Sequence, residues 1–174
     1  ILTDMTIAEV MAWQNRIRPQ VKSTAAGAYQ IIRNTMREIV AATGIDTSRK
    51  FDRQAQDEMA MHLLRKREFQ AYLDGKKTEA AMGLSLAQEW ASMPVLAATR
   101  GQSRQIKAGQ SYYAGDGLNK ALVDVATVQA ALRDAAPAAR TLGQASARRR
   151  YPAGNPHRGG HHGRRGNLHL CIGD

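Results

Sequence analysis

Between Thr6 and Ser92 apolar residues recur at three- and four-residue spacing, and glycine or proline breaks the pattern into helix-length pieces. Thr6-Ile7-Ala8-Glu9 has the form of a capping box, in which hydroxyl and carboxylate each take an orphan amide of a helix start. Ile7, Val10, Met11 and Trp13 follow as its apolar face. A second helix is expected over 28–43, with Ile31, Ile32, Met36, Ile39 and Val40 inward and Gly44 as its stop. A third starts at the cap candidate Asp52 and carries Met59, Leu63 and Leu64. Gly75 separates a short piece over 69–73 from a helix over 78–92, where Leu84, Ala87 and Trp90 form a stripe and Pro94 is the terminator. Two last elements are expected over 118–123 and 127–135. The polar, basic stretch 99–110, with Gly101 and Gly109, reads as a mobile loop. At most a short hairpin, placed near 17–22, interrupts a mainly α fold.

The other constraints agree with one small domain. The 174 residues suit a single core, and no apolar run approaches the ~20 residues of a membrane span. Cys171 is the only cysteine, so no intrachain disulfide can replace packing. Charge is uneven: of 25 Lys and Arg against 15 Asp and Glu, residues 138–174 hold 7 of the former and 1 of the latter. That segment, with Arg148-Arg149-Arg150 and Gly159-Gly160-His161-His162-Gly163-Arg164-Arg165, has too few apolar residues to offset the entropy of ordering. The expected organisation is therefore a helical domain over 1–137 and a disordered basic tail over 138–174. Such a tail could bind nucleic acid or another anionic polymer through counterion release, or simply aid solubility. Its histidines, His157, His161, His162 and His169, lack the paired spacing of a structural zinc site. No metal and no cofactor is expected. His62 reads as a helix residue rather than a catalytic base.

The segment Ser23-Thr24-Ala25-Ala26-Gly27-Ala28-Tyr29-Gln30 carries the chemistry. Gly27 and its small neighbours allow a ligand ring close to the main chain. Tyr29 offers an apolar face for a pyranose, and Gln30 an amide that donates and accepts. The same run also reads as an ordinary capped loop.

This segment resembles the Ser-Thr-x-Ala-Gly-x-Tyr-Gln element of lambda-type endolysins and related phage and prophage lysozyme-like muramidases. Three further segments are similar to the same group in order. Phe51-Asp52-Arg53-Gln54-Ala55-Gln56-Asp57 resembles its Phe-(Asp/Ser)-Pro-x-x-Gln-Asp helix start, with Arg53 in place of the proline, and Glu89-Trp90-Ala91-Ser92-Met93-Pro94 its Trp-Ala-Ser-Leu-Pro element. Ser111-Tyr112-Tyr113-Ala114-Gly115-Asp116-Gly117 is similar to a tyrosine-rich element of these proteins, and distantly to the Ala-Tyr-Asn-Ala-Gly motif of lytic transglycosylases. The resemblance spans roughly residues 2–132.

It implies a lysozyme-like fold that cleaves peptidoglycan glycan strands, as a muramidase or a lytic transglycosylase, with Ser23, Tyr29, Gln30, Tyr112 and Tyr113 in the sugar groove. These enzymes protonate the glycosidic oxygen from a carboxylic acid kept neutral by its surroundings. In the group resembled, that glutamate lies N-terminal to the Leu-Thr-x-Met-Thr-Ile segment, matched here by Leu2-Thr3-Asp4-Met5-Thr6-Ile7. The acid is therefore expected upstream of Ile1, in a part of the domain that precedes this sequence, and activity of the chain alone is in question. Glu9 is the fallback inside it; Glu38, Asp52 and Asp57 read as cap or helix-face carboxylates. The expected partners are peptidoglycan glycan strands, a companion N-terminal segment or phage tail proteins. The expected place of action is the cell wall, from a virion tail or from the host periplasm. A non-catalytic wall-binding or tail-structural module, and a nucleic-acid-binding protein acting through its tail, remain the other two classes.

Overall fold

A computed structural model of the chain describes residues 1–136; the basic tail, its histidines, Cys171 and the expected boundary at residue 137 lie outside the described residues. Six helices carry the architecture: α1 (Ile7–Ile17), α2 (Arg33–Thr43), α3 (Arg53–Lys66), α4 (Phe69–Leu73), α5 (Glu79–Glu89) and α6 (Val125–Ala135). The two strands β1 (Thr99–Arg100) and β2 (Gln105–Ile106) form one antiparallel hairpin between α5 and α6, with Thr99 opposite Ile106. The mainly helical reading holds. Each helix packs on the next in sequence, from α1 on α2 through to α5 on α6.

Local chemistry explains the boundaries. Thr6 and Glu9 form the expected box, with the Thr6 amide donating to Glu9 Oε2 at 2.7 Å and the Glu9 amide to Thr6 Oγ1 at 3.2 Å. The next two amides of α1 are satisfied from outside, Ile7 by the Arg49 carbonyl and Ala8 by that of Thr47, each at 2.9 Å. Asp52, Thr78 and Asp124 accept from the third helical amide of α3, α5 and α6. Gly44 closes α2 in the left-handed region, at φ 64°. The core joins Ile7 and Val10 of α1, Met36 and Ile39 of α2, Met59 and Leu63 of α3, and Met82 and Ala87 of α5 around Phe51, all nearly excluded from solvent. Tyr72 in α4 donates its hydroxyl to the Leu132 carbonyl, tying α6 to this body.

Four expectations need correction. No hairpin forms over 17–22: α1 runs to Ile17 and a turn follows, closed by the Gln20 amide on the Ile17 carbonyl. The hairpin lies instead within 99–110, which the sequence reads as a mobile loop. Its strands are short, but Gly101 is buried and its amide bonds the Arg104 carbonyl at 2.9 Å. The second helix starts at Arg33 rather than residue 28, because residues 26–31 form a turn of their own; Ile32, expected inward, is 45% exposed. Residues 118–123 form no helix. Asp116 takes the Leu118 and Asn119 amides, and the Leu122 amide bonds the Ser92 carbonyl, so those donors are used outside any helix.

Candidate functional site

Ala26 and Ile31 exchange a pair of backbone hydrogen bonds, 3.1 and 3.0 Å, across a turn closed by the Gln30 amide on the Gly27 carbonyl. Gly27 at φ 71° and Gln30 at φ 51° both take left-handed backbone. Glycine is required at the first position for a second reason: a Cβ there would lie 2.3 Å from Gln56 Oε1 and 2.8 Å from the Phe51 ring. Tyr29 and Gln30 therefore sit in the turn, not on the helix that follows.

Three side chains clamp this turn. Gln14, fully buried in α1, donates from Nε2 to the carbonyls of Thr24 and Ile31, both at 2.8 Å. Gln56 in α3 accepts the Ala28 amide at 2.9 Å and returns its own amide to the Phe51 carbonyl at 3.0 Å. Trp90, just past α5, donates its indole N–H to the Tyr29 carbonyl at 2.9 Å. Thr24, itself buried, accepts the Arg33 amide at 3.0 Å and so caps α2 from nine residues away. A turn held from α1, α3 and α5 offers a fixed surface, as a rigid binding element must.

The predicted residues occupy distinct parts of it. Tyr29 is half-buried and donates its hydroxyl to Asp57 Oδ1 at 2.6 Å. Burial first, then the Asp57 hydrogen bond and charge, push its phenol up to about 12, so the hydroxyl stays a committed donor and the ring is what a ligand would meet. Gln30 is exposed, and its side-chain amide has no hydrogen bond among the described residues. Ser23, before the turn, is exposed and uses its hydroxyl to accept the Ala25 amide at 3.3 Å.

Tyr112 and Tyr113 stand on a second support. Their rings meet edge-on, 5.2 Å apart at 83°. The Tyr113 hydroxyl donates to the Gln88 carbonyl at 2.6 Å, and burial raises its pKa. The hairpin steadies this segment: the Gln102 amide bonds the Tyr112 carbonyl at 3.1 Å, and Arg104 Nε the Ala114 carbonyl at 3.1 Å. Both tyrosine elements thus attach to the C-terminal end of α5, Tyr29 through Trp90 and Tyr113 through Gln88. No ring contact or hydrogen bond joins Tyr29 to Tyr112 or Tyr113 among the described residues. At this end of α5, Glu89, with 8% of its side chain exposed, holds Arg67, the residue just past α3, at 2.7 Å.

Glu9 has other work. Its carboxylate accepts both the Thr6 amide and hydroxyl, it is exposed, and the Thr6 backbone bond holds its pKa below the ordinary value. A general acid needs the opposite, a carboxyl kept protonated. Trp90 is buried, as a core residue, and His62 is a half-buried helix residue. The described residues contain no cluster of three or more His, Cys, Asp or Glu suited to a metal, and no helix long and apolar enough to cross a membrane. Sequence reasoning missed the clamping roles of Gln14 and Gln56. Their signal was a polar residue on an apolar helical stripe, Gln14 four residues after Val10 and Gln56 three before Met59.

Compared with known proteins, the chain finds no match among curated proteins or solved structures. The family model described as Endolysin matches residues 11–119, a span that holds the clamped turn, α2 to α5, the hairpin and both tyrosine elements. The chain belongs to the endolysin family, phage proteins that act on the host cell wall.

Proposed function

We propose that the chain binds peptidoglycan glycan strands across the Tyr29–Gln30 turn and the Tyr112–Tyr113 segment, within a unit that cleaves them as a muramidase or lytic transglycosylase. The observation that carries this reading is the clamped turn: Gln14 of α1, Gln56 of α3 and Trp90 just past α5 fix the backbone that carries Tyr29 and leave the exposed, unbonded side-chain amide of Gln30 next to it. A sugar ring needs an apolar face to stack on and a polar group for its hydroxyls, and Tyr29 and Gln30 supply the two from adjacent positions. Ser23 extends the polar edge. Tyr112, half-buried, offers a second aromatic face from the segment that Tyr113 ties to the C-terminal end of α5.

The proton donor in this reading is a glutamate N-terminal to Leu2, as the resemblance to muramidases implies, and not Glu9. Protonation of the glycosidic oxygen breaks the bond to the leaving sugar, and water or the sugar's own hydroxyl completes the reaction. Chemical-shift titration of the chain with peptide-free glycan strands tests the binding surface. Tyr29→Ala should weaken binding by about 1 to 3 kcal/mol, by analogy with ring stacking on aromatic platforms, while far-ultraviolet dichroism stays unchanged. Wild-type affinity in a folded Tyr29→Ala protein overturns the assignment.

A further inference from the structure

Beside the Tyr29 hydroxyl, an open groove of about 520 Å³ runs along the outer face of α3, lined by Arg53, Gln54, Asp57, Glu58, Met61 and Arg65. Its size is that of a small-ligand site. Asp57 belongs to both surfaces: it accepts from Tyr29 at 2.6 Å and forms one wall of the groove. Whatever lies on the Tyr29 ring is therefore within reach of the groove.

The groove is mixed in character. Met61 is 39% exposed, an apolar side chain left without cover among the described residues. The negative groups on the wall are already engaged. Glu58 pairs in two-pronged fashion with Arg49, at 2.8 and 3.0 Å, and accepts from Gln54; Asp57 takes the Tyr29 hydroxyl. Arg65, at the far end, is exposed, and its guanidinium makes no hydrogen bond or ion pair among the described residues. An occupant would meet apolar cover in the middle and an uncommitted guanidinium at the end. That combination suits a short peptide with small apolar side chains and a free carboxylate, which a guanidinium binds with two parallel N–H donors.

We propose that this groove seats the stem peptide of peptidoglycan, its alanine methyls on Met61 and a stem carboxylate on Arg65, while the glycan lies on Tyr29. A neutral sugar such as an N-acetylglucosamine oligomer lacks that charge, and a nucleic acid would place phosphates against Asp57 and Glu58. The proposal rests on the glycan-binding reading for its geometry but is tested apart from it.

The chain, labelled for chemical-shift titration, is mixed with three probes: a peptide-free glycan without carboxylates, an N-acetylglucosamine oligomer; a free stem tripeptide; and the complete disaccharide-tripeptide. The tripeptide and the complete muropeptide should shift the amides of 57–65. The complete muropeptide should bind at least about tenfold tighter than peptide-free glycan. Arg65→Ala should erase most of that difference while leaving affinity for peptide-free glycan unchanged, and Arg65→Lys should restore part of it. If the glycan binds at 23–30 but neither peptide-bearing probe moves 57–65, the groove assignment is wrong and the glycan reading stands. If the tripeptide moves 57–65 but the glycan moves nothing, the groove stands and the glycan floor falls. Equal affinities of wild type and folded Arg65→Ala for the muropeptide overturn the role of Arg65 and the proposal with it.

Discussion

The turn at 26–31 concentrates its constraints on single atoms, so small substitutions there should have large effects. Gly27→Ala puts a Cβ against Gln56 Oε1 and the Phe51 ring and asks a non-glycine residue to hold φ 71°. It should lose more than about 1 kcal/mol in denaturant unfolding. Gln56→Ala keeps the backbone angles but leaves the Ala28 amide and Phe51 carbonyl without their partner, and about 1 to 3 kcal/mol is expected to be lost. An unchanged unfolding midpoint in both variants would show that the clamp does not stabilise the turn. Tyr29 adds a pH signature. Its phenol is raised to about 12 in the folded protein, so from its ordinary pKa near 10 upward the unfolded chain ionises first. The Tyr29–Asp57 contribution is then complete below about pH 10 and lost as pH rises through about 12. Ultraviolet titration should find a late-ionising tyrosine that Tyr29→Phe removes; a Tyr29 that titrates like a free phenol contradicts the hydrogen bond.

At the scale of elements, local signals were legible and remote ones were not. The box at Thr6, the Asp52 cap and the Gly44 stop are read from three or four consecutive residues, and the structure has all three. The start of α2 is not legible in the local sequence because its cap, Thr24, is nine residues upstream, and because the turn before it depends on Gln14 and Gln56 from other helices. The hairpin at 99–106 looks like a loop in the sequence for the same reason: its support from the Tyr112 carbonyl crosses a sequence gap that no periodicity reports. Of the site, the identity of Tyr29 and Gln30 was visible, but their place in a turn rather than on a helix was not. Caps also separate structure from chemistry at Glu9. Thr6→Ala should lower stability by about 1 kcal/mol. The lowered pKa of Glu9 means its contribution is present above the ordinary carboxyl value near 4.5 and lost as pH falls through the folded value. Glu9→Gln should therefore remove part of the acid dependence of the thermal midpoint without abolishing glycan cleavage in any preparation that shows it. Loss of cleavage by a folded Glu9→Gln protein would make Glu9 the general acid.

For the whole molecule, the sequential packing of α1 through α6 has a consequence for where the domain ends. α6 closes the structure: Val128 and Leu132 are buried, Tyr72 bonds the Leu132 carbonyl, and Glu79 of α5 receives both Arg133 and Gln129. Removing α6 would uncover the apolar surface of α5 on which it packs and leave Tyr72 and Glu79 without these partners, so a chain ending before Asp124 should unfold well below the wild-type midpoint. Residues 138–174 are different in composition, with 7 of the 25 Lys and Arg and few apolar side chains to contribute to a core. A chain ending at Pro137 should keep the wild-type midpoint to within about 2 °C, a change of well under 1 kcal/mol in a domain of this size. It should also lose most of its salt-sensitive binding to an anionic polymer such as heparin or single-stranded DNA, because fewer counterions are released per contact. The two truncations bracket the boundary. A drop of many degrees on removing 138–174 alone would mean that Tyr151, Leu168 or Leu170 packs on the helical body, and that the domain is not confined to residues 1–137.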